Sequence, residues 1–257
     1  MSLKAVVILT AVIAGPPVTV GTIATQTPAP SDLEASAARL EAAVLAEDAN
    51  GVKAARIGLL RQLPAASDPA RVALLRYTAA YAGWRLAFAP AIPAGEKQDL
   101  LDDAETQLKE TIKLSPAFAE APALLSAVYG AKIAQAPDLG MTLGMQASAM
   151  LAKAVGLGPN NPRVLVLKAM SLFHTPPEYG GSVREAEAVF RQALTRFDQE
   201  GARAPWPNWG RFDAHVWLGQ ALAARGDKAG ARNEYEKALA IAPRSNWVKL
   251  SLLPQVR

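Results

Sequence analysis

The stretch FDAHVWLGQALAARGDKAGARNEYEKALAIAP, residues 212–243, decides the fold. Leu218, Gly219 and Leu222 lie on one side of a helix, Gly226 ends it, and Ala231, Tyr235 and Ala238 form a second apolar stripe. Apolar residues recurring at three- and four-residue steps mark a helix with one face turned to a core. Small residues at Gly219, Ala231 and Ala238 let two helices approach closely, while Leu222 and Tyr235 fill the space beside them. Pro243 cannot continue a helix and begins the turn to the next element. The stretch therefore predicts a helix–turn–helix hairpin.

Working outward, the second-helix spacing of Ala231, Tyr235, Ala238 and Pro243 recurs upstream. Ala104, Leu108, Thr111 and Pro116 keep it, as do Ala147, Leu151, Ala154 and Pro159; Ala186, Phe190 and Ala193 keep it too, with Asp198 in place of the proline. The first-helix steps of Leu218, Gly219 and Leu222 return as Leu125, Ser126 and Tyr129, and less well as Lys168, Ala169 and Leu172. One spacing in four places is the mark of a repeat array whose units cannot bury their apolar faces alone. The period resembles that of the tetratricopeptide repeat, about 34 residues.

The expected fold is all-α: a right-handed superhelical solenoid of such hairpins, with repeats at about 68–116, 117–159, 162–198 and 212–243 and a capping helix in 244–257. The runs EAPALLSAVYG, NPRVLVL, TPPEYGGSV and PNWGR, leading into VWLGQALAARGD, resemble secreted bacterial tetratricopeptide-repeat proteins with extended loops inside the repeats. The resemblance covers about residues 68–248. It implies no activity beyond the family role of holding peptides or proteins in place.

At the N-terminus, AVVILTAVIAG (5–15) follows one lysine and is too short to span a bilayer, which takes about 20 residues. With the small residues Thr22-Ile23-Ala24 it reads as a secretory signal over 1–24, and 25–30 as a polar linker; an uncleaved anchor is the competing reading. Either way the body is expected outside the cytoplasm, in a bacterial periplasm. Ser31-Asp32 is expected to cap a first helix running to about Asp48 and broken at Asn50-Gly51, and 52–63 to form a second. Asp68-Pro69 opens a long helix carrying Tyr77, Tyr81, Trp84 and Arg85.

Composition limits the chemistry. The 257 residues carry 27 Lys and Arg against 23 Asp and Glu, a formal net charge of +4, but the cations are interleaved with acids and form no basic stripe. A nucleic-acid partner is not expected, because it would need clustered cations or stacking aromatics among them. The chain has no cysteine, so disulfides and thiolate chemistry are excluded. Two histidines, His174 and His215, match no metal-site spacing, and no phosphate loop, nucleophile elbow or HExxH is present. The chain is expected to be no enzyme and to hold no cofactor or metal.

Two surfaces are the candidates for a protein or peptide partner. Stacked first helices line a concave groove, which the register assigns to Tyr77, Tyr81, Arg85, Arg163, Val166, Met170, Phe173, Asp213, Val216 and Gln220. The second is the edge where the loops 89–97, 134–143 and 175–183 all fall, with Tyr179, Gly180 and Gly181 at a tip. A further insertion, 199–211, is expected to be packed onto the array by Trp206 and Trp209. A transport or assembly subunit presenting a small apolar ligand is the alternative to a scaffold.

Overall fold

The computed structural model describes residues 32–201 and 208–257. The expected signal and linker, the cap at Ser31 and the packing of Trp206 lie outside the described residues. Among the described residues ten α-helices follow in order: α1 (Asp32–Leu45), α2 (Ala49–Gln62), α3 (Pro69–Leu86), α4 (Ala94–Leu114), α5 (Glu120–Gln135), α6 (Gly140–Leu157), α7 (Pro162–His174), α8 (Val183–Asp198), α9 (Arg211–Ala224) and α10 (Lys228–Ile241). A short helical segment (Trp247–Leu252) of π-type pitch and a 3-10 turn (Leu253–Val256) end the chain, and no strand occurs among the described residues. Each helix packs on the next, giving antiparallel hairpins stacked in sequence, and the tetratricopeptide-like all-α architecture is as the spacing predicts.

Local chemistry places the starts. Asp68 accepts hydrogen bonds from the amides of Ala70 and Arg71, Asn161 from those of Arg163 and Val164, Ser182 from Glu185 and Asp227 from Gly230. Each satisfies helix amides that have no partner within the first turn. Pro69 and Pro162 stand at first helical positions, where the missing N–H costs nothing. Gly226 turns the last hairpin with φ +87°.

The repeat residues are the inter-helix packing. Ala104, Leu108, Thr111, Ala186, Phe190, Ala193, Ala231 and Ala238 are fully buried. Gly219 sits so close to Tyr235 that an added Cβ would lie 2.4 Å from the ring, which is why that position holds no side chain. The second hairpin is looser: Ala154 is buried, but Ala147 and Leu151 are only half so.

Three boundaries differ from the sequence reading. The break after α1 falls at Ala46–Asp48, where Glu47 takes φ +55°, and Asn50-Gly51 lie inside α2 because Asp48 caps that helix through the amide of Gly51. The edge loops are shorter than expected, since α4 starts at Ala94 and α6 at Gly140, making 94–97 and 140–143 helical. At the C-terminus, Val248, Leu252 and Val256 cover the stack, while Trp247 is 38% exposed.

Candidate functional site

The inner side of the array begins with α3, whose PARVALLRYTAAYAGWRL is apolar almost all round, as suits a helix buried on every face. Residues 208–213 cross its inner side. Trp209 is 3% exposed; its ring stacks on Tyr81 with centroids 4.9 Å apart and planes at 19°, and its Nε1–H donates to the Tyr77 hydroxyl at 3.0 Å. That hydroxyl donates to Glu120 at 2.8 Å, and Glu120 also accepts from Asn161 Nδ2 at 3.0 Å, so one buried chain of hydrogen bonds ties α3, α5, the start of α7 and the insertion together. Burial and the Glu120 carboxylate hold the Tyr77 phenol well above its usual pKa, so it stays a donor.

Charges are paired across the same interior. Arg85 Nη1 lies 2.6 Å from Asp213 Oδ1, joining α3 to α9. Arg163, with no exposed surface, donates to Glu200 at 2.7 Å and to Asn208 Oδ1 at 3.1 Å, and its guanidinium lies over the Phe197 ring at 5.2 Å. An isolated buried guanidinium would be very costly, so these partners are what permit it there. The turn after α1 also meets the C-terminal segment. Glu47 accepts from Ser245 Oγ at 2.6 Å and from the amides of Asn246 at 3.1 Å and Trp247 at 3.2 Å, capping the terminal segment from the turn between α1 and α2.

The array therefore closes on itself, and the residues expected to line a groove are largely covered. Tyr77, Tyr81, Arg163, Val166, Asp213 and Val216 are buried, and Arg85, Met170, Phe173 and Gln220 are half-buried. The register places them on the inner side, but α1 and the residues around Trp209 occupy the space an open solenoid would leave to a partner. What remains is a cavity of about 210 Å³ lined by Glu41, Tyr81, Trp209, Arg211, Phe212 and Asp213 among others. Burial raises the pKa of Glu41, opposed by the charge of Arg163 and a hydrogen bond from the Asn208 amide.

The edge loop 175–182 is different. It folds back onto the end of α7, with the Ser182 amide donating to Leu172 O at 2.8 Å. Gly180 takes φ +92°, and a Cβ on Gly181 would overlap the Thr175 carbonyl oxygen, so neither place accepts a larger residue. Tyr179 stands out at the tip, 79% exposed. Just before this loop begins a row of rings that the sequence reading did not assemble: His174 lies 4.7 Å and Phe173 5.7 Å from Trp217 on α9, and Trp217 lies 5.8 Å from Trp247. Trp217 and Phe173 are half-buried, and His174 and Trp247 are exposed. Trp217, beside the Leu218–Gly219 stripe, was the available signal; its neighbours come from the preceding repeat and from the terminal segment and share no local pattern with it.

Among the described residues no group of three or more His, Asp or Glu side chains is placed to hold a metal ion. His215 Nδ1 lies 2.7 Å from Glu234 Oε2, with Lys237 bonded to the other oxygen, so it is engaged at the α9–α10 interface.

Residues 212–245 match the family model described as tetratricopeptide repeat. In fold the chain is similar to the HusA haemophore from Porphyromonas gingivalis, with 24% identity and a TM-score of 0.62 over 75% of this chain and 92% of that one. It is also similar to TTC0263, a thermophilic tetratricopeptide-repeat protein of Thermus thermophilus, with 20% identity and a TM-score of 0.58 over 88% of this chain and 97% of that one. At these identities the likeness is one of fold. No curated protein matches the sequence.

Proposed function

Since the chain is a tetratricopeptide-repeat protein, carrying the matched repeat at 212–245 in an array of that fold, we propose that it is a non-catalytic scaffold holding a protein or peptide partner. The partner docks on the ring row Phe173, His174, Trp217 and Trp247 and the neighbouring loop tip at Tyr179. The observation that carries this reading is the contrast between the two candidate surfaces: the inner side is filled by the chain's own Trp209 and α1, while the row keeps aromatic surface open to solvent. Aromatic side chains on rigid helices lose little freedom on binding and are over-represented among interface anchors. Tetratricopeptide-repeat proteins are generally non-catalytic protein binders, which suits this use.

The apolar run 5–15, the small residues before Thr25 and the absence of cysteine support export to the periplasm, with the partner an envelope protein. The test is affinity capture from an envelope fraction, followed by titration of the captured protein against the wild type, Trp217→Ala, and a chain in which 176–181 is replaced by a Gly/Ser turn. Loss of an anchor should weaken binding by about 2 kcal/mol, roughly thirtyfold. Unchanged affinity in both variants, with the fold intact, refutes the site.

A second reading, a carrier of a small ligand, is favoured by the likeness to a haemophore and by the cavity beside Tyr81 and Trp209. Size argues against it: at about 210 Å³ the cavity falls below the roughly 300–1,000 Å³ of ordinary ligand pockets. An absorbance titration with haemin separates the two, since the scaffold reading expects no saturable spectral change.

A further inference from the structure

The second helices of the other clear hairpins are strongly charged: α4 reads AGEKQDLLDDAETQLKETIKL, α8 VREAEAVFRQALTRFD and α10 KAGARNEYEKALAI. The equivalent helix α6 reads GMTLGMQASAMLAKAVGL, with Lys153 as its one charge. Such a composition suits a helix buried all round, yet Ala154 is its only buried residue. Leu143, Ala147, Met150 and Val155 pack inward on the core. The opposite face, Met141, Met145, Ala149, Ala152 and Gly156, follows steps of four, four, three and four residues and is exposed along its whole length. Met141 is 87% exposed, Met145 73% and Leu157, at the end of the helix, 42%. Among the described residues nothing covers this face.

We propose that this face of α6 is covered by α6 of a second copy of the chain, packed across a two-fold axis. Three features favour a second copy over a different occupant. The first is charge: a two-fold contact sets each face against itself, and this one has no charged residue along its midline to repel its own image, with Lys153 to one side. The second is relief. Met141 and Met145 stand out at one end while Ala149, Ala152 and Gly156 leave a shallow trough at the other, so antiparallel copies set each methionine ridge into the other's trough. Methionine adapts well to such a contact and is enriched in interface cores. The third is area. A helix of 18 residues is about 27 Å long and presents a face of roughly 500–600 Å², so a symmetric pair buries roughly 1,000–1,200 Å², at the lower edge of specific interfaces. That size suits a reversible dimer. A membrane surface is a poorer match, because an interfacial helix normally carries several basic residues on its polar face and α6 carries one.

The experiment is sedimentation velocity on the full chain from about 1 to 100 µM, a range chosen to bracket a micromolar Kd. The wild type should pass from monomer to dimer. Met145→Glu and Ala152→Glu, both at exposed positions that leave the fold intact by circular dichroism, should raise the dimer Kd at least about tenfold by placing like charges opposite each other. Leu250→Glu, 72% exposed but away from α6, should not change it. A wild type that stays monomeric throughout overturns the proposal, as does a dimer untouched by either α6 substitution or one dissociated equally by Leu250→Glu. A monomer that instead co-sediments with vesicles of neutral and anionic phospholipid, and loses this with Met145→Glu, assigns the face to membrane and overturns the second copy.

Discussion

Replacing Trp209 by alanine removes the centre of the closed inner side. The indole is 3% exposed, stacks on Tyr81 at 4.9 Å and donates to the Tyr77 hydroxyl at 3.0 Å. Truncating a buried tryptophan to alanine typically costs about 3–5 kcal/mol, which already includes the cavity left behind. The upper half of that range is expected here, because the aromatic pair contributes about 0.5–1.5 kcal/mol beyond area. Tyr77 keeps its bond to Glu120, so no buried donor is orphaned and the loss should not exceed the range. For a chain of this size each kcal/mol lowers Tm by about 2–4 °C, which gives a fall of about 8–20 °C. Thermal melts followed by circular dichroism measure it. A fall of less than about 2 °C would mean that the insertion does not pack on α3 and that the inner side is open.

Ala238→Trp should destabilise by about 1–3 kcal/mol or more, since Ala238 is fully buried between helices; Lys237→Ala, removing a half-exposed partner of Glu234, should cost within about 0.5 kcal/mol, and equal losses would place the register wrongly. Glu41→Gln should stabilise the fold at neutral pH. Burial raises the folded-state pKa of Glu41, so its ionisation costs stability as pH rises from the ordinary carboxylate value of 4.5 through the raised one; the gain should vanish below that value, and a gain constant with pH would refute the cause. Asp213→Ala leaves Arg85 half-buried without its carboxylate at 2.6 Å and should cost about 3–5 kcal/mol, whereas Tyr179→Ala, at the exposed loop tip, should leave Tm unchanged.

The hairpins were legible because their information is local. Ala231, Tyr235 and Ala238 repeat within the span of one helix, and Asp68, Asn161 and Asp227 mark starts by a rule that acts over three residues. Closure was not legible, because its contacts join residues far apart with no shared period: Trp209 with Tyr77, Arg85 with Asp213, Glu47 with Ser245. The spacing assigned the groove residues to the helices that open the hairpins, where they are buried or half-buried, and carried no sign of what covers them. One signal was present in α3, where alanines and aromatics on every side pointed to burial all round rather than to a lining with one wet face. Composition misleads in α6, whose near-uniform apolar sequence suggests an interior helix although most of it meets solvent.

Closure is tested most directly by the distance between the turn after α1 and the C-terminal segment. Because the sequence has no cysteine, Ala46→Cys and Arg244→Cys, both exposed and beside the Glu47–Ser245 contact without belonging to it, accept spin labels at those two sites alone. Double electron–electron resonance should give one narrow, short distance that broadens and lengthens when Glu47→Ala removes the cap. A broad distribution at long distance in the otherwise unaltered chain would show an open superhelix with its inner side free for a partner, and would contradict the closed array.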